Sequence, residues 1–328
     1  MALAVPANAG VNWSANGEFG GGIGTSALSD SGHGCAMFGG TTGCWSNQTH
    51  ISQAPTRLDG NFHVNALLDF GLRLQFDAEA DRRFVGKSAL FDPHEGVDRI
   101  TTYGMGIHID LRHDNFLVGA LVSAGDVDAS FIHNRVATYG FEGEWFLDRT
   151  TLFSQITHSR SVQGYDYWPQ AWYLHVGARY FPLENLKLEV NAGKVLGQVT
   201  SDATVGNSEN GGDAGQWGAK VEYRFGFMPL GLSLDYQGSY TTWKSSYWQS
   251  GVYPYPVPTN YSYDAHQTWR RNENLFMLRL HMYFGDESLI AGDHNGDGMN
   301  DYIPWYGEHS VAPAYAGDRY FVPIMPPL

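Results

Sequence analysis

The sequence predicts an all-β fold, a single antiparallel transmembrane β-barrel of about twelve strands (ten to fourteen), followed by a C-terminal extension. Three observations carry this: a repeated period of two, connections that alternate between short and long, and the lack of any long apolar run. The period is plainest in Leu72-Arg73-Leu74-Gln75-Phe76-Asp77-Ala78-Glu79-Ala80-Asp81, and returns in Leu186 to Ala192, Trp217 to Phe225 and Phe276 to Phe284. Neighbouring side chains of a strand point to opposite faces, so each of these segments has one apolar face and one charged face. A soluble sandwich also alternates, but it mostly spares its solvent face such dense charge. A membrane barrel inverts the arrangement, with apolar residues toward lipid and polar ones toward the lumen.

Composition agrees. The 328 residues include 40 glycines, 14% aromatics and only 16% charged residues, which favours strands and tight turns. Mean hydropathy is −0.31, and no apolar run approaches the roughly 18 residues of a spanning helix. A chain that crosses lipid without such helices must close into a barrel, because only then is every backbone group paired. The net charge of −14 excludes nucleic acid as a partner, since phosphates call for a basic surface. An acidic surface serves solubility or a preference for cations.

The chain opens with Met1 to Gly10, where Ala7-Asn8-Ala9 has the small-residue pattern of an export cleavage site without a basic or full apolar stretch before it. Residues 1–10 therefore read either as the remnant of an export signal or as a disordered N-terminus. Residues 11–284 supply the strands: Val11 to Gly22, Gly60 to Leu68, Leu72 to Phe84, Ile100 to Asp110, Phe116 to Gly125 and Asn134 to Phe146 in the first half. Thr151 to Ser161, Ala171 to Phe181, Leu186 to Gln198, Gly215 to Phe225, Leu230 to Trp243 and Asn272 to Phe284 follow in the second. Each suits the ~9–11 residues a tilted strand needs to cross a bilayer.

Short turns rich in Asp, Asn, Gly or Pro separate alternate pairs: Asp69-Phe70-Gly71, Arg112 to Asn115, Leu147 to Thr150, Pro182 to Asn185 and Gly226 to Pro229. Between them lie longer connections, Ile23 to Asp59, Val85 to Arg99, Val162 to Gln170, Val199 to Ala214 and Lys244 to Arg271; Asp126 to His133 is the short exception. Short turns at one rim and long loops at the other are a barrel's habit. An even strand count puts both ends of the barrel segment on the short-turn side. Cys35 and Cys44 share a glycine-rich stretch of the first long connection. They read as a small disulfide ring formed in an oxidising compartment, or as a metal pair with His33.

With these elements in place, the chain resembles the porin-like outer-membrane β-barrels of Gram-negative bacteria. The most specific element is the final strand, Leu275-Phe276-Met277-Leu278-Arg279-Leu280-His281-Met282-Tyr283-Phe284, which is similar in alternation and terminal aromatic to the signal read by the barrel-assembly machinery. The resemblance implies an outer-membrane location with both termini periplasmic, and partners among outer-membrane lipid, lipopolysaccharide and that machinery. Such barrels usually end at the aromatic; this chain continues through residues 285–328.

Taking the apolar partners as lipid-facing, the lumen receives Arg73, Asp77, Glu79, Asp81, His108, Asp110, Glu142, Glu144, His175, Arg179, Lys187, Glu189, Lys220, Glu222, Arg224, Asp235, Arg279 and His281. Acids and bases are nearly balanced. The set therefore serves either as a charge-lined, non-enzymatic passage for passive diffusion of small polar solutes, or as ion pairs that close a narrow barrel acting structurally or adhesively through its loops. About twelve strands lie between the filled eight-stranded type and the open porins, so width leaves both readings standing.

Three further patterns stand out. Trp243, Tyr247, Trp248, Tyr253, Tyr255, Tyr261, Tyr263 and Trp269 crowd the last long connection, as an interfacial girdle and lid or as a surface for stacking sugars. Asp293-His294-Asn295-Gly296-Asp297-Gly298-Met299-Asn300-Asp301 has the opening spacing of a Ca²⁺ loop, with Asp293, Asn295, Asp297 and Asp301 as ligands and Pro304 where an EF-hand has its bidentate Glu; an Asx-turn loop has the same look. Thr157-His158-Ser159 offers the residue types of an outer-membrane hydrolase, but neighbours in a strand face opposite ways and cannot pair as nucleophile and base.

Overall fold

The computed structural model describes residues 11–84, 99–129, 132–164, 170–200, 207–253, 259–285 and 288–294. Thirteen strands follow in order: β1 (Val11–Phe38), β2 (Thr41–Gln53), β3 (Thr56–Leu68), β4 (Leu72–Phe84), β5 (Arg99–His113), β6 (Phe116–Ala129) and β7 (Ile132–Leu147). The rest are β8 (Thr150–Gly164), β9 (Gln170–Leu183), β10 (Leu186–Thr200), β11 (Asn207–Arg224), β12 (Leu230–Tyr253) and β13 (Thr259–Phe284), followed by α1 (Leu289–His294). All pairings are antiparallel; they join sequence neighbours except that β3 pairs with β1 in place of β2, and β13 returns to β1 to close the sheet.

The ring has twelve places, because β2 and β3 occupy one between them. β1 pairs with β3 from Val11↔Leu68 to Ile23↔Thr56, then with β2 from Ser26↔Gln53 to Phe38↔Thr41. The break between the two falls at Ala54-Pro55, where proline has no N–H to give the ladder. Gly24 donates instead to the Pro55 carbonyl at 3.0 Å.

The short turns lie where the sequence places them, but the expected long connections are largely strand where they are described, Val199 to Ala214 giving the end of β10 and the start of β11. Ile23 to Asp59 forms the upper part of β1, all of β2 and the start of β3, reversing at Gly39-Gly40 with φ of 57° and 83°. Two consecutive positive φ values make the hairpin turn that glycine adopts without strain. Lys244 to Arg271 likewise extends β12 to Tyr253 and begins β13 at Thr259. Beyond the lipid-facing band the period of two loses its apolar half, while Ser, Thr, Tyr and Trp go on pairing. Residues 1–10, most of the expected loop from Val85 to Arg99, and Tyr255 lie outside the described residues.

Candidate functional site: the barrel interior

Burial alternates along the strands, with the charges inside. On β5 Tyr103, Met105, Ile107, Ile109 and Leu111 are 49–60% exposed, while Thr102, His108 and Asp110 between them are at most 1% exposed. β13 repeats this, with Phe276, Leu278, Leu280, Met282 and Phe284 outward and Met277, Arg279, His281 and Tyr283 inward. Trp13, Trp145, Tyr180, Tyr223 and Phe227 add exposed aromatics toward the short-turn end. Apolar surface on this scale needs lipid around it, and the aromatics suit the headgroup level. The chain is a membrane-spanning β-barrel.

The expected lumen residues fall into two sectors of the wall. The first is dry and runs from β3 to β8. Arg73 Nε donates to Asp110 at 2.8 Å, Nη1 to Gln75 at 2.8 Å, and Nη2 lies 3.3 Å from Glu142. His108 stands between Glu142, 2.7 Å from Nδ1, and Asp77, 2.6 Å from Nε2. Asp77 also meets His63 Nδ1 at 2.6 Å, and Gln155 donates to Glu142 at 2.9 Å. All of these side chains are buried. Buried charges persist only when paired and hydrogen-bonded, so this sector is a packed polar core, not a water-filled wall.

The second sector, β9 to β13 with β1, β3 and the Glu79–Asp81 part of β4, surrounds a cavity of about 220 Å³. Arg279 holds Glu18, Asp59 at 2.7 Å and Asp235 at 3.0 Å; Lys220 meets Glu18 at 3.2 Å and Glu222 at 3.4 Å; Lys187 meets Glu222 at 2.8 Å. Arg57 reaches Asp81 at 2.7 Å and Gln237 of β12 at 3.0 Å. Glu79, His175, Glu189 and His281 also line the cavity. Side chains of Arg57, Lys187, Glu189 and Lys220 keep 15–17% exposure, against 0% for Arg73, Asp77 and His108. The volume is below the ~300–1,000 Å³ of pockets for drug-sized ligands, so the space suits water and small polar molecules.

Between the sectors, Arg179 Nη1 donates to Glu144 at 2.7 Å and to Asp293 of α1 at 2.8 Å, while its Nε lies 3.3 Å from Glu189. Arg224 sits over the Tyr283 ring, 5.0 Å from its centroid. Two glycines make room for this network. A Cβ on Gly119 would stand 1.7 Å from Asp110 Oδ1, and one on Gly20 would stand 2.4 Å from Arg279 Cγ.

Glu18, Arg57, Asp59 and His63 belong to the interior and are missing from the sequence-derived set. For three of them the signal was present: Arg57, Asp59, Asn61, His63 and Asn65 alternate with Leu58, Gly60, Phe62, Val64 and Ala66. Starting that strand at Gly60 hides the first two; β3 starts at Thr56.

The remaining candidates are placed differently. Cys35 and Cys44 form a disulfide across a directly opposed pair of β1 and β2. Of the four expected Ca²⁺ ligands only Asp293 is described, and its carboxylate accepts from Arg179 and Thr151; Asn295, Asp297 and Asp301 lie outside the described residues. His158 packs outward against Tyr139 and Trp172, while Ser159 is buried beside Thr138, so the two do not meet. Trp248 is half exposed near the tip of β12.

No family model and no curated relative matches this sequence. Solved structures do. An outer-membrane channel from Pseudomonas putida F1 is 12% identical with a TM-score of 0.45, over 80% of this chain and 95% of that one. A FadL homologue from Pseudomonas aeruginosa is 11% identical with a TM-score of 0.42, over 83% and 90%. The toluene transporter TodX of Pseudomonas putida is 9% identical with a TM-score of 0.35, over 82% and 90%.

Proposed function

We propose that the protein is an outer-membrane channel for passive diffusion of small polar solutes, with its short turns and both ends of the barrel segment facing the periplasm. The observation that carries this is the split interior. One sector is packed dry, while the other keeps a polar cavity bordered by the slightly exposed Lys187, Glu189, Lys220 and Arg57. A barrel serving only as a scaffold has no need of a wet sector, because the ion pairing seen from β3 to β8 would fill it as well. Side chains of both signs along one path favour small hydrated solutes over apolar ones.

The test is single-channel recording of the refolded full chain in planar bilayers. Discrete steps support the channel, and a folded but silent barrel rejects it. Lys220→Glu should shift ion selectivity toward cations. A second reading, a non-conducting barrel acting through its outer hairpins, is favoured by the length of β12 and β13, 24 and 26 residues, well beyond what a bilayer needs.

A further inference from the structure

We infer that α1 is a plug seated in the short-turn mouth of the barrel, and that solute passage requires it to leave. The inference rests on the channel reading and specifies how that channel is closed. It begins with local sequence. Ser288 caps the helix, its Oγ accepting from Ala291 N–H at 3.2 Å and its carbonyl from Gly292 N–H at 3.1 Å. The resulting turn presents Leu289 and Asp293 four residues apart, hence on one face, and both are buried.

Each end of that face has a prepared seat. Leu289 packs with Phe181 of β9 and Tyr283 of β13 in a buried apolar cluster. Asp293 accepts from Arg179 of β9 at 2.8 Å and from Thr151 of β8. The backbone is held too: Ile290 N–H donates to the Glu184 carbonyl at 3.2 Å, and Arg112 Nε of β5 donates to the His294 carbonyl at 2.8 Å. The anchoring strands β5, the adjacent pair β8 and β9, and β13 lie on three different sides of the ring. The helix therefore spans the mouth instead of lying along one wall.

Dimensions agree. Twelve strands spaced ~4.8 Å apart and tilted ~40° enclose a backbone cylinder of about 24 Å diameter. Inward side chains take roughly half of that, and a helix with its side chains is ~10–12 Å across. One helical turn is thus enough to close the opening. The seat is also reversible in chemistry, because Arg179 has Glu144 and Glu189 beside it and keeps partners when Asp293 departs.

The experiment compares single-channel conductance of the full-length wild type with two full-length variants, each confirmed as folded by heat-modifiable gel mobility. Leu289→Ala with Asp293→Ala removes both anchors and should raise open probability or conductance at least twofold. Thr151→Cys with Asp293→Cys, oxidised, fixes α1 in its seat and should reduce conductance at least tenfold. Wild-type conductance in both variants overturns the plug while leaving the channel standing. Silence of all three folded proteins rejects the channel itself.

Discussion

Gly119 on β6 lies so close to Asp110 on β5 that any side chain would enter the carboxylate: a Cβ there would stand 1.7 Å from Oδ1 and 2.5 Å from Cγ. Because Asp110 in turn holds Arg73, the glycine sets the position of the dry sector's central ion pair. Gly119→Ala should destabilise the barrel by ~1–3 kcal/mol, the usual range for overpacking. Urea midpoints of the membrane-inserted protein check this. Gly143→Ala, whose Cβ would meet nothing closer than 3.4 Å, is the control and should stay within about 1 kcal/mol.

Arg73→Met leaves Asp110 without its cation and Glu142 with His108 alone, in a site that is 0% exposed. Losing one partner of a buried pair costs ~3–5 kcal/mol. Adding Asp110→Asn should restore part of that loss, which a double-mutant cycle on unfolding free energies would measure; strict additivity would show that the pair does not act as a unit.

On the outside, Ile107→Arg places a charge at the centre of β5, on a face that is 49% exposed. At the bilayer midplane this should cost ~2–4 kcal/mol, falling to ~0–1 kcal/mol near an interface. Leu111→Arg, near the short turn, should therefore cost less. Equal costs would mean that β5 does not run through the bilayer along its length.

The Cys35–Cys44 bridge joins opposed residues on the projecting hairpin, outside the shared β1–β3 ladder. Its removal by Cys35→Ser with Cys44→Ser should weaken that hairpin by ~2–3 kcal/mol on the loop-entropy account. Limited proteolysis should then cut between Gly34 and Trp45 while the barrel remains resistant and its conductance unchanged.

The seat of α1 should also respond to pH. Burial pulls the His294 imidazole below its ordinary value, and Arg112 acts in the same direction, while Asp293 and Asp148 oppose them. Its Phe146 neighbour, 5.1 Å between ring centroids, is uncharged. Since the seated state disfavours the charged ring, the contribution of His294 to seating is complete above the ordinary value of ~6.5 and declines as pH falls below it. Channel opening should increase from pH 7.5 to pH 5, and His294→Gln should remove that part of the increase.

How much of this was legible in the sequence depends on the surroundings of each segment. Where lipid meets one face and charge the other, as from Leu72 to Phe84, the period of two marks β4 from end to end. Where both faces are polar, as from Thr41 to Gln53, the code disappears although the strand does not. Alternation marks eighteen charged and histidine positions as expected lumen residues, but carries nothing about a division into a dry and a wet sector. That division depends on partners far apart in the chain, such as Arg57 with Gln237, 180 residues away. The role of Asp293 was hidden for the same reason: a calcium-like spacing is local, whereas Arg179 lies 114 residues earlier.

β1 shares a ladder with β13 from Ala15↔Phe284 to Phe38↔Tyr261, and this fixes an order of events. The first strand to be made finds its second neighbour only when the last has arrived, so the sheet stays open with two unpaired edges until the whole chain is available. Pairings this distant in sequence are slow to form. Because α1 follows β13 within a few residues, the step that completes the ring also delivers the helix to the mouth, and the barrel is closed around its wall and across its end at nearly the same moment.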